Sequence, residues 1–136
     1  MHVGGEHLRE IFGEDWQPYQ ELDFVTPPFP EYVSGHSGFS AVSAEILKSF
    51  TGSDDFGASA TLAAGSSKIE PGITPSTEIT LSWATFTEAA EEAGISRLFG
   101  GIHFMDGNLQ GRMMGRKIGA LVWQKALTYF NGTAAN

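Results

Sequence analysis

The fold is decided above all by residues 34–52, which read SGHSGFSAVSAEILKSFTG. Ser34 or Ser37 can cap the start of a helix, and the pair Thr51-Gly52 can end one. Between these ends, apolar side chains recur at steps of three, four and four residues, the spacing of one helix face: Phe39, Val42, Ile46 and Phe50. The stretch therefore predicts an amphipathic helix over about residues 35–50 with these side chains as its apolar stripe.

Two more helices are predicted downstream. Residues 85–88, TFTE, have the pattern of a capping box, in which the Thr85 hydroxyl accepts from the third amide of the helix and Glu88 reaches back. This helix should run to about residue 100, where Gly100-Gly101 breaks it. The last helix, over about residues 109–130, is apolar around much of its circumference, which indicates that it is buried, here or against other parts of the protein.

The segment between the first two helices changes character. Ser, Gly, Ala and Thr dominate residues 53–82, and two β-like runs, 58–64 and 77–83, are separated by turn-forming Gly and Pro residues. We predict a two-stranded ribbon inserted between helices. The predicted fold class is therefore mainly α, a helical bundle with a small β-ribbon insertion.

The N-terminal part of the chain carries weaker signals. A short helix is predicted around residues 7–12, and the proline-rich residues 26–30 predict a stiff extended strap, because proline removes amide donors and restricts the residue before it. The length of 136 residues is that of one ordinary domain, and no internal repeat divides it. We therefore expect residues 1–136 to form a single unit.

Composition excludes several classes of function. No apolar run approaches the roughly 18 residues that cross a bilayer, and the chain contains no cysteine for thiolate catalysis or for cysteine-bound zinc. The formal charge of −8 disfavours a general nucleic-acid surface, so that any bound anion must be held by a local site. His2 and His7 have no partners at ligand spacing, and no transition-metal site is predicted.

Ser34-Gly35-His36 is the first candidate site. Amides at a helix start point outward at the positive end of the helix dipole, and Gly35 lets an oxyanion approach the main chain. His36 could exchange a proton near neutral pH. For this tripeptide alone the favoured alternative is a capped helix with a surface histidine, because such a triplet recurs by chance.

Residues 96–103, SRLFGGIH, form the second candidate site. Arg97 offers planar donors suited to a tetrahedral oxyanion, and His103 offers a nitrogen that can attack or ligate the central atom. Residues six apart on a continuous helix point roughly 120° from each other, so their convergence requires a bend, for which Gly100-Gly101 is the suitable place. The alternative is a helix-terminal arginine near a buried, hydrogen-bonded histidine.

Together these stretches resemble the paired motifs of the superfamily that joins vanadium-dependent haloperoxidases with type 2 phosphatidic acid phosphatases. Its second motif is Ser-Gly-His, and its third is Ser-Arg, five residues and His, as in residues 96–103. The strings TPPFPEYVSGHS at 26–37 and GIHF at 101–104 resemble the bacterial and algal haloperoxidase branch, and the likeness covers about residues 16–123. The resemblance implies the helical-bundle fold of haloperoxidases and acid phosphatases.

Two departures accompany this resemblance. The superfamily's first motif supplies a Lys and an Arg upstream of the other two, and no such sequence stands here. The phosphatase pattern also has an aspartate four residues after the histidine, where this chain has Gly107, while Asp106 stands one position earlier. The missing first motif implies that residues 1–136 are the C-terminal portion of a larger haloperoxidase-like catalytic domain.

The resemblance also implies a role for each site residue. Vanadate, or phosphate in its place, would be bound by Ser34, Gly35 and Arg97, while His103 coordinates vanadium or attacks phosphorus and His36 is the acid/base. The string at 32–37 favours peroxide-driven halide oxidation over phosphomonoester hydrolysis, and the missing cations keep a non-catalytic remnant as a third alternative. The expected partners are a small anion, peroxide and halide. Apolar faces of the last helix are expected to be exposed or covered by self-association.

Overall fold

The computed structural model of the chain describes residues 10–24 and 30–134. It contains one 3-10 helix, three α-helices and two strands, in chain order Gly13–Asp15, α1 Gly35–Thr51, β1 Asp55–Leu62, β2 Ile79–Thr85, α2 Phe86–Phe99 and α3 Met105–Phe130. The mainly α fold with a β-ribbon insertion is therefore confirmed. Of the helix predicted around 7–12, residues 7–9 lie outside the described residues and 10–12 are not helical, and the strap at 26–30 lies outside them except for Pro30.

α1 begins and ends where the sequence predicted. The Ser34 side chain accepts a hydrogen bond from the Ser37 amide at 3.3 Å, which satisfies one of the amides that a helix start leaves without a partner. At the other end Gly52 has a φ of 73°, in the left-handed region that favours glycine, and its amide donates to the Lys48 carbonyl. Both ends are therefore set by local residues.

The surfaces through which α1 and α3 meet are made of small residues. From residue 107 to residue 119, every fourth residue of α3 is a buried glycine, namely Gly107, Gly111, Gly115 and Gly119. A Cβ atom on Gly115 would overlap the Gly38 carbonyl oxygen and lie 2.8 Å from Ala41 Cβ, so the two backbones approach too closely for a side chain. The packing of these helices therefore depends on glycine in α3.

The apolar stripe predicted for α1 is not its packing face. Phe39 is 78% exposed and Phe50 is 71% exposed, whereas the buried apolar side chains of this helix are Ala41 and Ala44. Helical spacing reveals that a segment is helical, but small residues let a second backbone come closer than phenylalanine does. The face that packs was therefore wrongly predicted, although the helix itself is confirmed.

α3 begins at Met105 rather than near Leu109, and most of its large apolar side chains are exposed. These exposed side chains include Leu109, Met113, Ile118, Leu121, Val122 and Phe130. The prediction of a buried helix is wrong within this chain, because the buried stripe is glycine and the apolar side chains point elsewhere. No helix in the described part of the chain is long and apolar enough to cross a membrane.

The two strands form an antiparallel ribbon that leads directly into α2. Leu62 pairs with Ile79 at one end of the ribbon, and the pairing is irregular near its other end. The predicted capping box is present, since Thr85 Oγ1 accepts from the Glu88 amide at 3.0 Å and Glu88 Oε2 accepts from the Thr85 amide at 3.2 Å. The ribbon and the start of α2 are therefore confirmed, although β1 spans 55–62 rather than 58–64 and β2 spans 79–85 rather than 77–83.

Candidate anion-binding site

A tight bend after α2 joins Arg97 to His103. Gly101 has a φ of 69°, and the amides of Ile102 and His103 both donate back to the Arg97 carbonyl, at 3.0 and 3.4 Å. The chain therefore reverses direction at Gly100-Gly101, where the sequence allowed a bend. His103 is held next to the last turn of α2 instead of being carried beyond it.

Residues 16–20 cover this bend. The Tyr19 amide donates to the Gly100 carbonyl at 2.9 Å, and the Trp16 ring comes within 3.0 Å of the position that a Cβ on Gly101 would take. Gln20 Oε1 accepts a hydrogen bond from Arg97 Nη2 at 3.3 Å. The N-terminal segment thus brings a polar side chain to the guanidinium, a contact that the sequence did not predict.

Arg97 is half-buried and only partly hydrogen-bonded. Its Nε atom is buried and has no hydrogen-bond partner among the residues that the structure describes, and burial lowers the pKa of the guanidinium. A buried donor on a charged group without an acceptor is unfavourable, and an oxyanion would supply the acceptor. Arg97 therefore fits an oxygen-rich anion such as vanadate or phosphate.

His103 is held through its Nδ1 atom. The residue is 6% exposed, and Nδ1 lies 2.8 Å from the carbonyl oxygen of Glu31. Because a carbonyl oxygen only accepts, Nδ1 carries the proton of the neutral ring and Nε2 carries the lone pair. This is the tautomer that a ligand or nucleophile acting through Nε2 requires.

Ser34 and Gly35 lie where the start of α1 meets the start of α3. Ser34 is fully buried, and its amide donates to the Gly107 carbonyl at 3.0 Å. Because the Ser34 side chain is also the helix cap, we expect Ser34 to act on an anion indirectly, by holding the start of α1. The amides of Gly35 and His36 are the main-chain donors that could reach an anion directly.

A buried chain of polar side chains continues from Ser34 into α3. Ser37 Oγ lies 2.8 Å from Ser34 Oγ and 2.7 Å from Asn108 Oδ1. Gly94 of α2 makes room for it, because a Cβ on Gly94 would lie 2.9 Å from Ser37 Oγ. All three helices therefore meet at this polar chain, directly behind the start of α1.

His36 lies on the first turn of α1 and is electrostatically coupled to the other two site residues. Partial burial lowers its pKa below the ordinary value of 6.5, and the charge of Arg97 and the neighbouring His103 lower that pKa further. The imidazole is therefore mostly neutral at pH 7. The structure thus places His36 within electrostatic reach of Arg97 and His103, which belong to the other sequence motif.

Sulfate binding should become stronger as the pH falls towards and below 6.5, because a bound dianion favours the protonated His36 ring and so raises its pKa. Without the anion, the stability of the folded chain should change with pH in the opposite direction. His36 has its ordinary pKa in the unfolded chain and a lowered pKa in the folded chain, so its protonation makes the protein less stable as the pH falls. Sulfate stays a dianion over this range, so titrations at several pH values check the dependence. His36→Asn should flatten this pH dependence, and an unchanged slope in His36→Asn would contradict the assignment.

Sequence reasoning missed Glu31, which also faces His103. Glu31 Oε1 lies 3.5 Å from His103 Nδ1 and accepts from the Phe104 amide at 2.9 Å. Asp106 is exposed, and its Oδ1 accepts from Gln110 instead. No sequence signal pairs Glu31 with a histidine 72 positions away. The described residues hold no group of three or more His, Cys, Asp or Glu that could bind a metal ion directly.

These elements define a helical bundle with a candidate oxyanion site where the starts of α1 and α3 meet the end of α2. Residues 2–132 match the family model of the VCPO second helical-bundle domain, and the chain belongs to this family. A comparison with curated proteins gives no significant match.

Solved structures of bacterial vanadium-dependent haloperoxidases are similar to the chain. A holo-type chloroperoxidase aligns with a TM-score of 0.73 and 26% identity over 82% of this chain. An apo-type chloroperoxidase aligns with a TM-score of 0.67 and 28% identity over 70% of this chain. The first bacterial vanadium-dependent iodoperoxidase aligns with 0.57 and 34% over 82%. The aligned parts are 23%, 21% and 23% of those proteins, so the chain spans less than a quarter of their length.

Proposed function

We propose that this chain is part of a vanadium-dependent haloperoxidase, an enzyme that uses peroxide to oxidise halide. The observation that carries the proposal is the buried Arg97 Nε without an acceptor in the described residues, near a histidine held through Nδ1. The VCPO family match and the similarity to haloperoxidase structures support vanadate as the oxyanion.

The proposal gives each site residue one task. Arg97 donates to the oxygens of the anion and balances part of its charge, and His103 Nε2 is the ligand of vanadium. The amides of Gly35 and His36 donate to further oxygens at the positive end of α1. Vanadate supplies, when bound, a Lewis acid that activates peroxide for attack by halide.

In the proposed reaction, His36 is the residue that accepts a proton. Its lowered pKa keeps the ring neutral at pH 7, so that it can take a proton from a group near the anion. A bound anion then favours the protonated ring, and the same nitrogen can return the proton later. His36 would therefore hold and move a proton without touching the central atom.

A phosphomonoester hydrolase is the second candidate, because phosphate and vanadate are both tetrahedral oxyanions. Glu31 favours it, since a carboxylate 3.5 Å from His103 Nδ1 would support a histidine that attacks phosphorus. A non-catalytic remnant is the third candidate. Within the described residues, Arg97 is the one permanent cation that acts on His36, while the whole chain carries a charge of −8.

Parallel assays of the natural protein, with any residues that precede this chain, test these candidates. With vanadate added, we expect bromide or iodide oxidation by peroxide, and His103→Ala should abolish it. Rapid hydrolysis of p-nitrophenyl phosphate without halide oxidation would reverse the order of the first two candidates. A folded protein that does neither and binds no vanadate would support the remnant.

A further inference from the structure

Glu31 faces the Nδ1 side of His103 with two acceptor atoms. Its carbonyl oxygen lies 2.8 Å from Nδ1 and its Oε1 atom lies 3.5 Å from the same nitrogen. The Oε1 atom also accepts from the Phe104 amide at 2.9 Å. One residue of the loop before α1 therefore contacts both the histidine and the start of the helix that follows it.

The Glu31 carboxylate also caps α3. Phe104 is the N-cap residue of this helix and provides no side-chain cap of its own. The carboxylate bonds to the Phe104 amide, and its negative charge lies at the positive end of the helix dipole. These contacts anchor residue 31 to α3, so that its carbonyl oxygen is also held in place at His103 Nδ1.

Gly107 provides the space for this carboxylate. A Cβ atom on Gly107 would overlap Glu31 Oε1 and lie 2.7 Å from Glu31 Cδ. The carboxylate therefore occupies the volume into which a side chain at position 107 would project. It follows that a carboxylate could reach this volume by two routes, from Glu31 or from an acidic side chain at position 107.

We propose that Glu31 is the positioning residue of His103. Its carbonyl oxygen accepts the hydrogen bond from Nδ1, and its carboxylate, seated against Gly107 at 3.5 Å from Nδ1, adds a negative charge that favours the proton on Nδ1, so that Nε2 can act on the bound anion. Glu31 acts through the histidine and does not touch the anion. An acceptor at Nδ1 also makes the opposite nitrogen a stronger donor of electrons to an electrophilic centre. The proposal rests on the proposed function only for the identity of that anion.

The first test reads the ring nitrogens of His103 by 15N NMR in the full chain without an anion, at a pH where the ring is neutral. Glu31→Ala keeps the carbonyl acceptor and removes only the carboxylate, so the ratio of the Nδ1-protonated to the Nε2-protonated tautomer should fall about 2- to 13-fold, the range of one modest polar interaction. Phosphate affinity, measured by titration, should fall roughly 10- to 100-fold, as for other residues that orient a ligating histidine. Asp106→Ala removes the same charge from the first turn of α3 and should change neither.

The second test supplies the carboxylate from position 107 instead of from Glu31. Gly107→Asp alone places two carboxylates in one volume and should weaken phosphate binding. Adding Gly107→Asp to Glu31→Ala should instead recover most of the affinity, to within about threefold of the natural protein, because neighbouring substitutions of this kind are coupled. If Glu31→Ala weakened phosphate binding only by disturbing the fold, adding Gly107→Asp, which is harmful by itself, would not restore the affinity.

Two results would overturn the proposal. One is a Glu31→Ala protein whose tautomer ratio and phosphate affinity match those of the natural protein, and the other is a double variant no better than either single one. If Glu31→Ala does not fold, Glu31→Gln replaces it, because glutamine keeps the shape of the side chain. Glu31→Gln should lose about fivefold in phosphate affinity, since its hydrogen bonds lack the charge. No loss in Glu31→Gln would also overturn the proposal. Neither test measures halide oxidation, so both remain valid if the haloperoxidase assignment fails. If phosphate does not bind, the tautomer ratio of His103 alone decides between the two outcomes.

Discussion

Replacing Arg97 with alanine should weaken phosphate binding about 10- to 150-fold. This range corresponds to one charge-assisted hydrogen-bonding group of roughly 1.5–3 kcal/mol, with about 1.4 kcal/mol for each factor of ten in affinity. The effect is large because Arg97 Nε is buried and has no acceptor among the described residues, so the anion is its natural partner. Titration calorimetry of the natural protein and the variant with phosphate measures the ratio.

Without phosphate the same substitution should cost little stability, because it removes the buried Nε atom, which has no acceptor among the described residues, and loses only the one hydrogen bond from Nη2 to Gln20. Phosphate should therefore raise the Tm of the natural protein and not that of Arg97→Ala. Arg116→Ala is the matched control, since Arg116 pairs with Glu91 at 2.8 Å and should not affect phosphate. Equal phosphate affinity in the natural protein and Arg97→Ala would contradict the role given to Arg97.

A longer protein that supplies an upstream Lys and Arg should bind vanadate roughly two to four orders of magnitude more tightly than the 136-residue chain alone. Two more charge-assisted partners at roughly 1.5–3 kcal/mol each account for this range. The need for them is electrostatic, because the anion is itself negative and the chain already carries a formal charge of −8. The chain alone should consequently fold at least in part, bind vanadate poorly and be essentially inactive.

Vanadate titration and bromide oxidation, run on the chain alone and on the longer protein, measure this difference. Replacing the upstream Lys and Arg with alanine in the longer protein should return its affinity to that of the chain alone. Tight binding and rapid turnover by the chain alone would contradict the expectation and show that two motifs suffice. In that case Lys117→Ala would tell whether Lys117, exposed on α3, takes the place of the missing cations.

Both ends of α1 and the start of α2 were predictable because each is set by residues close to it in the chain, whereas the start of α3 at Met105 was not, since it contacts the distant Glu31. Ser34 and Gly52 bound α1, and the capping box of Thr85 and Glu88 starts α2. The packing faces were not predictable in the same way. Phe39 lies on a regular apolar stripe and is exposed, because contact between α1 and α3 runs through glycine and alanine instead.

The candidate site shows the same division. The two motifs indicated His36, Arg97 and His103 from their residue types and from a bend that glycine permits. The residues that support them were missed: Gln20 at Arg97, and Glu31 at His103. Neither stands at a spacing that relates it to its partner, since Gln20 is 77 positions from Arg97.

The sequence by itself determined where α1 begins and ends, where α2 begins and which two segments carry anion chemistry, because caps, turns and helical spacing depend on neighbouring residues. Only the tertiary structure decided which helix faces meet and which carboxylate faces His103. Both depend on how closely backbones approach: Gly115 brings α3 against α1, and Gly107 leaves the volume that the Glu31 carboxylate fills. The sequence does not distinguish a glycine in an exposed turn from a glycine at such a contact. Only the folded chain shows which atoms occupy the space beside it.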